Sequence, residues 1–125
     1  MRITGANNTF DVDVNLVGSK SESNRALMIG YYGGFTPRIK NLSTSDDTQL
    51  LSLILQSLKV NTRFIASQQS INGETIIDCA NAGTVLRFLA TALAFRDGEW
   101  ILTGSDRMLQ RPVGDLVDEI GRAHV

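Results

Sequence analysis

Cysteine is nearly missing from this chain: Cys79 stands alone among 125 residues. That excludes an intrachain disulfide framework and a cysteine-rich zinc site, and it suggests a reducing compartment. Histidine is as scarce, since His124 in the tail is the only one, so no metal is expected. Charge of one sign is not in excess. Twelve Lys and Arg against thirteen Asp and Glu leave a formal charge of -1. With a pI near 5.7, the chain lacks the basic field that holds nucleic acid nonspecifically. Long apolar runs are also lacking: the greasiest stretch, 50–55, is interrupted by Ser52 and far too short to span a bilayer. Residues 1–10 have no apolar centre of the signal-peptide kind. These absences give a cytoplasmic reading, without nucleic-acid or membrane partners.

What is present fits one globular domain, with 42% hydrophobic and 20% charged residues. Phe10, Val12, Val14 and Leu16 alternate with Asp11, Asp13 and Asn15, the period-2 pattern of a half-buried strand. Gly18 ends it. Ser21 is placed to cap a helix over 22–32, with Ala26, Leu27, Ile29 and Gly30 facing inward and Gly33-Gly34 as the stop. A short strand over 38–42 follows Pro37. Ser43-Thr44-Ser45-Asp46-Asp47 then opens a second helix, whose apolar face is Leu50, Leu51, Ile54, Leu55 and Leu58.

Two strands are predicted over 60–66 and 70–79, with Asn72-Gly73 as a turn signal inside the second. A third helix runs from 82 or 83 to 95, then a strand over 100–103, then a loop ending in Arg111-Pro112. Pro112 suits the first position of a last helix. The class is α/β (α+β), in the order strand, helix, strand, helix, strand, strand, with the start of a second such unit.

Three segments carry chemistry. Gly18-Ser19-Lys20-Ser21-Glu22-Ser23-Asn24-Arg25 packs a Lys, an Arg, three hydroxyls and an amide around a helix start. Lys offers a compact charge and Arg a planar fork for phosphate oxygens, while the free N–H groups add partial positive charge. Solvated cations beside capping serines would explain one or two of these residues, not the whole cluster. A nucleotide P-loop is rejected, because the upstream glycine of that motif is absent at this spacing.

The second segment is Asn81-Ala82-Gly83-Thr84 with Arg87 a turn later. Gly83 would let a ligand approach the backbone closely, although Asn81 could equally be a plain N-cap. The third is Asp106-Arg107-Met108-Leu109-Gln110-Arg111-Pro112, where two arginines four apart either serve an anion or are simply solvated. Asp46-Asp47 either orients the first cluster or only complements a helix dipole. Cys79 reads as a small buried apolar residue.

In this order and spacing, GSKSESNR, NAGTVLR and RMLQRP, with Ser45-Asp46-Asp47 between, resemble the 5-enolpyruvylshikimate-3-phosphate synthase family. The resemblance covers about 12–118. It implies transfer of the enolpyruvyl group of phosphoenolpyruvate to the 5-hydroxyl of shikimate 3-phosphate, through a tetrahedral intermediate with release of phosphate. The pathway leads to chorismate and aromatic amino acids, and no metal or organic cofactor is required. By carry-over, Lys20 touches both substrates and is the one catalytic residue expected here. Ser21 and Arg25 bind shikimate 3-phosphate, Asn81, Gly83 and Arg111 serve phosphoenolpyruvate, and Asp47, Thr84 and Arg87 stand behind them.

The resemblance also implies a two-domain fold built from the repeat described above. The second domain, largely from the C-terminal half, supplies the acid/base carboxylates and would be the partner of this chain. Residues 1–125 are thus expected to form one partial domain, inactive alone. Residues 119–125 leave the family pattern. They can be reverse-translated as GAG ATC GGA AGA GCA CAC GTC, the start of a common sequencing adapter, and are expected to be a non-native tail. Phe88 stands where some family members carry proline. Two alternatives are a UDP-N-acetylglucosamine enolpyruvyl transferase fragment, disfavoured because the loop before Arg111-Pro112 has no cysteine, and a noncatalytic anion-binding half-domain.

Overall fold

The computed structural model describes residues 13–60, 68–71 and 74–123. Among them the element order is α1 (Lys20–Tyr32), α2 (Asp46–Val60), β1 (Gln68–Ile71), β2 (Glu74–Asp78), α3 (Gly83–Ala94), β3 (Trp100–Thr103), α4 (Asp106–Leu109) and α5 (Gly114–Ala123). The strands form one sheet in the order β1-β2-β3. β1 and β2 are an antiparallel pair whose inner partners are Ile71 and Glu74. The strand expected over 70–79 is thus divided between β1 and β2, and the Asn72-Gly73 signal lies outside the described residues.

β2 and β3 run parallel, from Thr75 opposite Trp100 to Asp78 opposite Thr103. Parallel neighbours need a crossover, and α3 is that crossover. Its sequence is apolar on the buried side, with Val85, Leu89, Ala92 and Leu93 in the core. Leu51, Ile54, Leu55 and Leu58 of α2 bury the face read from their spacing, and Ile77 and Cys79 close the core from the sheet. At the far end, Arg96 donates to Leu58 O at 2.8 Å and to Tyr31 Oη at 3.2 Å. The same guanidinium lies 5.7 Å from the Trp100 ring centroid, which fastens the ends of α1, α2 and α3 together.

Several expectations shift. Residues 10–12 of the first strand lie outside the described residues, and 13–19 have no ladder; Val14 and Leu16 are exposed. The cap of α1 is Ser19, not Ser21: Ser19 Oγ accepts from Glu22 N at 3.4 Å. The helix starts two residues early; Ser23, Asn24, Met28 and Gly30 form its buried face, and Ile29 lies off that face in solvent. No strand forms over 38–42, because Asn41 takes a left-handed conformation (φ 56°) that breaks an extended run. Val60 ends α2 rather than opening a strand, and 61–67 fall outside the described residues. The four-residue α4 was not read from the sequence. α5 begins at Gly114, two residues past Pro112.

Candidate anion-binding site

The nominated residues fall into two clusters. The first forms where α1 and α2 begin. Its geometry is set by a close crossing: a Cβ on Gly18 would lie 1.7 Å from Asn41 O, so only glycine lets the chain pass there. Below the crossing, Ser43 N donates to Ser23 Oγ at 3.0 Å and Ser45 N to Ser43 Oγ at 3.3 Å. Ser45 caps α2, accepting from Thr48 N on its Oγ at 3.4 Å and from Gln49 N on its carbonyl at 3.1 Å. Thr48 Oγ1 donates to Asn24 Oδ1 at 2.8 Å, with both side chains fully buried.

This buried network holds two helix N-termini side by side, and their positive dipole ends add. On α1, Ser21 and Arg25 are four apart and so share one exposed face. Lys20 shares its row with Asn24 and leans toward α2, where Nζ meets Asp47 Oδ2 at 3.0 Å. Among the described residues Arg25 has no carboxylate partner.

The second cluster forms at the C-terminal edge of the two parallel strands, where loops from adjacent strands leave together. Cys79 N donates to Thr103 O at 2.8 Å, extending the β2–β3 ladder by one bond. Asp78 Oδ1 then accepts from Ala80 N at 2.8 Å, holding Ala80 in a left-handed conformation (φ 48°). The chain turns into α3 at Gly83 with Ala82 as N-cap, and no side chain caps it. Asn81 is therefore not the plain cap that the sequence allowed. Its Oδ1 accepts instead from Ser105 Oγ.

Arg111 arrives from the loop after α4, anchored by buried Met108. A Cβ on Gly83 would lie 2.5 Å from Arg111 Nη1, so the guanidinium lies directly on the Gly83 backbone. Arg87 Nη2 donates to Pro112 O at 2.9 Å and fixes that loop against α3. Thr84 is exposed in the first turn of α3. A guanidinium over the positive end of a helix dipole repels it, and Arg111 has no carboxylate partner among the described residues. An anion relieves both charges at once.

Burial pushes the Cys79 thiol up to about 12, with the Asp78 charge adding to it, so this thiol stays neutral and unreactive. Among the described residues no group of three or more His, Cys, Asp or Glu side chains could hold a metal ion. No helix among them is long and apolar enough to cross a membrane.

A sequence profile of EPSP synthase (3-phosphoshikimate 1-carboxyvinyltransferase) matches residues 6–124. The chain belongs to the EPSP synthase family. Relatives named 3-phosphoshikimate 1-carboxyvinyltransferase include one from Vibrio cholerae, 39% identical over 122 residues, which covers 89% of this chain and 29% of the relative. A second, from Photobacterium damsela subsp. piscicida, is 39% identical over 127 residues, or 93% of this chain and 30% of its own. A third, from Yersinia ruckeri, is 41% identical over 118 residues, or 86% and 28%. The chain thus spans less than a third of the length of the curated relatives it matches. No solved structure matches it.

Sequence reasoning missed Ser105, the hydroxyl that meets Asn81. A signal was available: Ser105 is followed by Asp106, the composition of a helix N-cap and first turn. The pairing of Asn24 with Thr48 left no local signal, because it joins residues on two different helices.

Proposed function

We propose that the chain supplies part of the site of a shikimate-pathway transferase, which moves the enolpyruvyl group of phosphoenolpyruvate to the 5-hydroxyl of shikimate 3-phosphate. The reading is carried by one observation: the Arg111 guanidinium, without a carboxylate partner among the described residues, seated on Gly83 at the start of α3. That seat suits the phosphate or carboxylate of phosphoenolpyruvate, with Asn81 beside it. Lys20, Ser21 and Arg25 suit shikimate 3-phosphate, and by the family resemblance Lys20 serves both substrates. Asp47 holds Lys20 by its ion pair, while Arg87 and Thr84 support the Gly83 side.

Two multiply charged anions repel one another. Cations and helix N-termini offset that repulsion and let the 5-hydroxyl approach the enol carbon. Addition of the hydroxyl to the enol carbon, with a proton added to the methylene carbon, gives a tetrahedral intermediate; loss of phosphate and of a proton from the methyl group restores the double bond, now as an enol ether. The groups that move protons in these steps are, by the family resemblance, on the part of the protein outside this chain. We therefore propose that this chain holds one strand-helix-strand-helix-strand-strand repeat and the start of a second, and that alone it has no turnover. The UDP-N-acetylglucosamine alternative draws no support from the relatives' names.

Phosphate release from the two substrates tests the reading. The purified chain is expected to release none. A polypeptide extended to the relatives' length is expected to release phosphate in step with enolpyruvyl transfer. Failure of the extended protein to consume the pair would overturn the assignment.

A further inference from the structure

An amide side chain presents an acceptor at one end and a two-proton donor at the other, and only the donor end attracts an anion. Whichever way Asn81 points therefore decides whether it helps or hinders phosphoenolpyruvate. Asn81 is exposed, and its side chain is not engaged in capping α3. Ser105 is its partner. The Ser105 backbone is fixed from below, since its N–H donates to Ala80 O at 2.9 Å. Its hydroxyl oxygen accepts from Met108 N at 3.3 Å and so caps α4. That leaves the single hydroxyl proton, which goes to Asn81 Oδ1.

We propose that Ser105 is a positioning residue for phosphoenolpyruvate: by donating to Asn81 Oδ1 it turns the Asn81 Nδ2 protons outward, toward the anion seated at Gly83 and Arg111. This rests on the reading of Asn81 and Gly83 as the phosphoenolpyruvate side. Ser105 does two separable jobs, cap acceptor and amide donor. Threonine keeps both. Aspartate keeps the cap but has no proton to give, and its carboxylate draws the Asn81 NH2 inward instead. Alanine loses both.

The experiment uses the 15N-labelled chain and its Ser105→Thr, Ser105→Asp and Ser105→Ala variants. Nuclear Overhauser contacts between the Asn81 Nδ2 protons and the residue-105 side chain are measured without ligand, and phosphoenolpyruvate is then titrated. Wild type and S105T are expected to show no such contact and to bind alike, within about twofold, while S105D and S105A bind roughly tenfold more weakly. S105D is also expected to gain the contact as the amide turns round.

Because the aspartate charge itself repels phosphoenolpyruvate, binding is judged on S105A: affinity within about twofold of wild type in that variant overturns the proposal. So does an amide orientation that is the same in wild type and S105D, whatever the ligand does. If the amide turns as expected but phosphoenolpyruvate shifts no Asn81 or Gly83 resonance in wild type, the hold of Ser105 on Asn81 stands and the substrate reading fails.

Discussion

The two clusters are built on opposite plans. Around Lys20, the cations rest on a buried lattice of hydroxyls and an amide, Ser23, Asn24, Ser43 and Thr48, and the chain supplies its own counter-charge in Asp47. Around Gly83, the position of Arg111 depends on empty space over a glycine, and no carboxylate balances it among the described residues. Such a buried lattice is stiff and costly to break, although Asn24 Nδ2 is buried in it without a hydrogen-bond partner. A seat made of space is cheap to fill. The first cluster thus carries its own counter-charge in Asp47, whereas Arg111 in the second has no carboxylate partner among the described residues.

Replacing Thr48 with valine breaks the lattice without touching a cation. It leaves Asn24 Oδ1 buried without its donor, a loss of about 1–3 kcal/mol of stability. Urea denaturation of the chain measures it, and no loss would show that the lattice carries no stability.

A smaller effect is expected from filling the seat. Gly83→Ala puts a methyl group where Arg111 Nη1 now sits, 2.5 Å away. The guanidinium moves aside, and phosphoenolpyruvate binding weakens roughly tenfold while stability changes little. Calorimetry with this variant should leave binding of shikimate 3-phosphate unaffected, since Lys20, Ser21 and Arg25 belong to the other cluster.

The smallest effect separates the clusters by pH. Below its ordinary value of 9.0, the Cys79 thiol is neutral in both folded and unfolded chains. As the pH rises from there toward the folded value of about 12, the unfolded chain releases a proton that the folded one keeps, so stability falls. The loss is about 1 kcal/mol by about pH 10. Cys79→Ala should flatten that dependence in thermal melts, whereas Thr48→Val should leave its slope unchanged.

The sequence showed most where periodicity was strong. Leu51, Ile54, Leu55 and Leu58 could only face one way on a helix, and 100–103 formed the strand expected of it. It misled where two residues competed for one role. Ser19 and Ser21 are both good caps, and Ser19 is the one used; separately, the buried face of α1 is Ser23, Asn24, Met28 and Gly30, which leaves Ile29 exposed. Asn41 set a turn inside an apparent strand; asparagine takes a positive φ more readily than most residues, and that signal was overlooked.

The same division holds for the candidate site. Lys20, Arg25, Gly83 and Arg111 were legible as motif residues of the right chemistry. Their supports were not, since Asn24 with Thr48 and Asn81 with Ser105 meet only after the chain has folded.

One titration bears on the central claim most directly, that these clusters are the two halves of a substrate pair's anion site. Shikimate 3-phosphate is added to the 15N-labelled chain and compared with inorganic phosphate at equal concentration. Shifts at Lys20, Ser21 and Arg25 that exceed those from phosphate and vanish in Lys20→Ala are expected. Shifts no larger than those from phosphate, or unchanged in Lys20→Ala, would contradict the account.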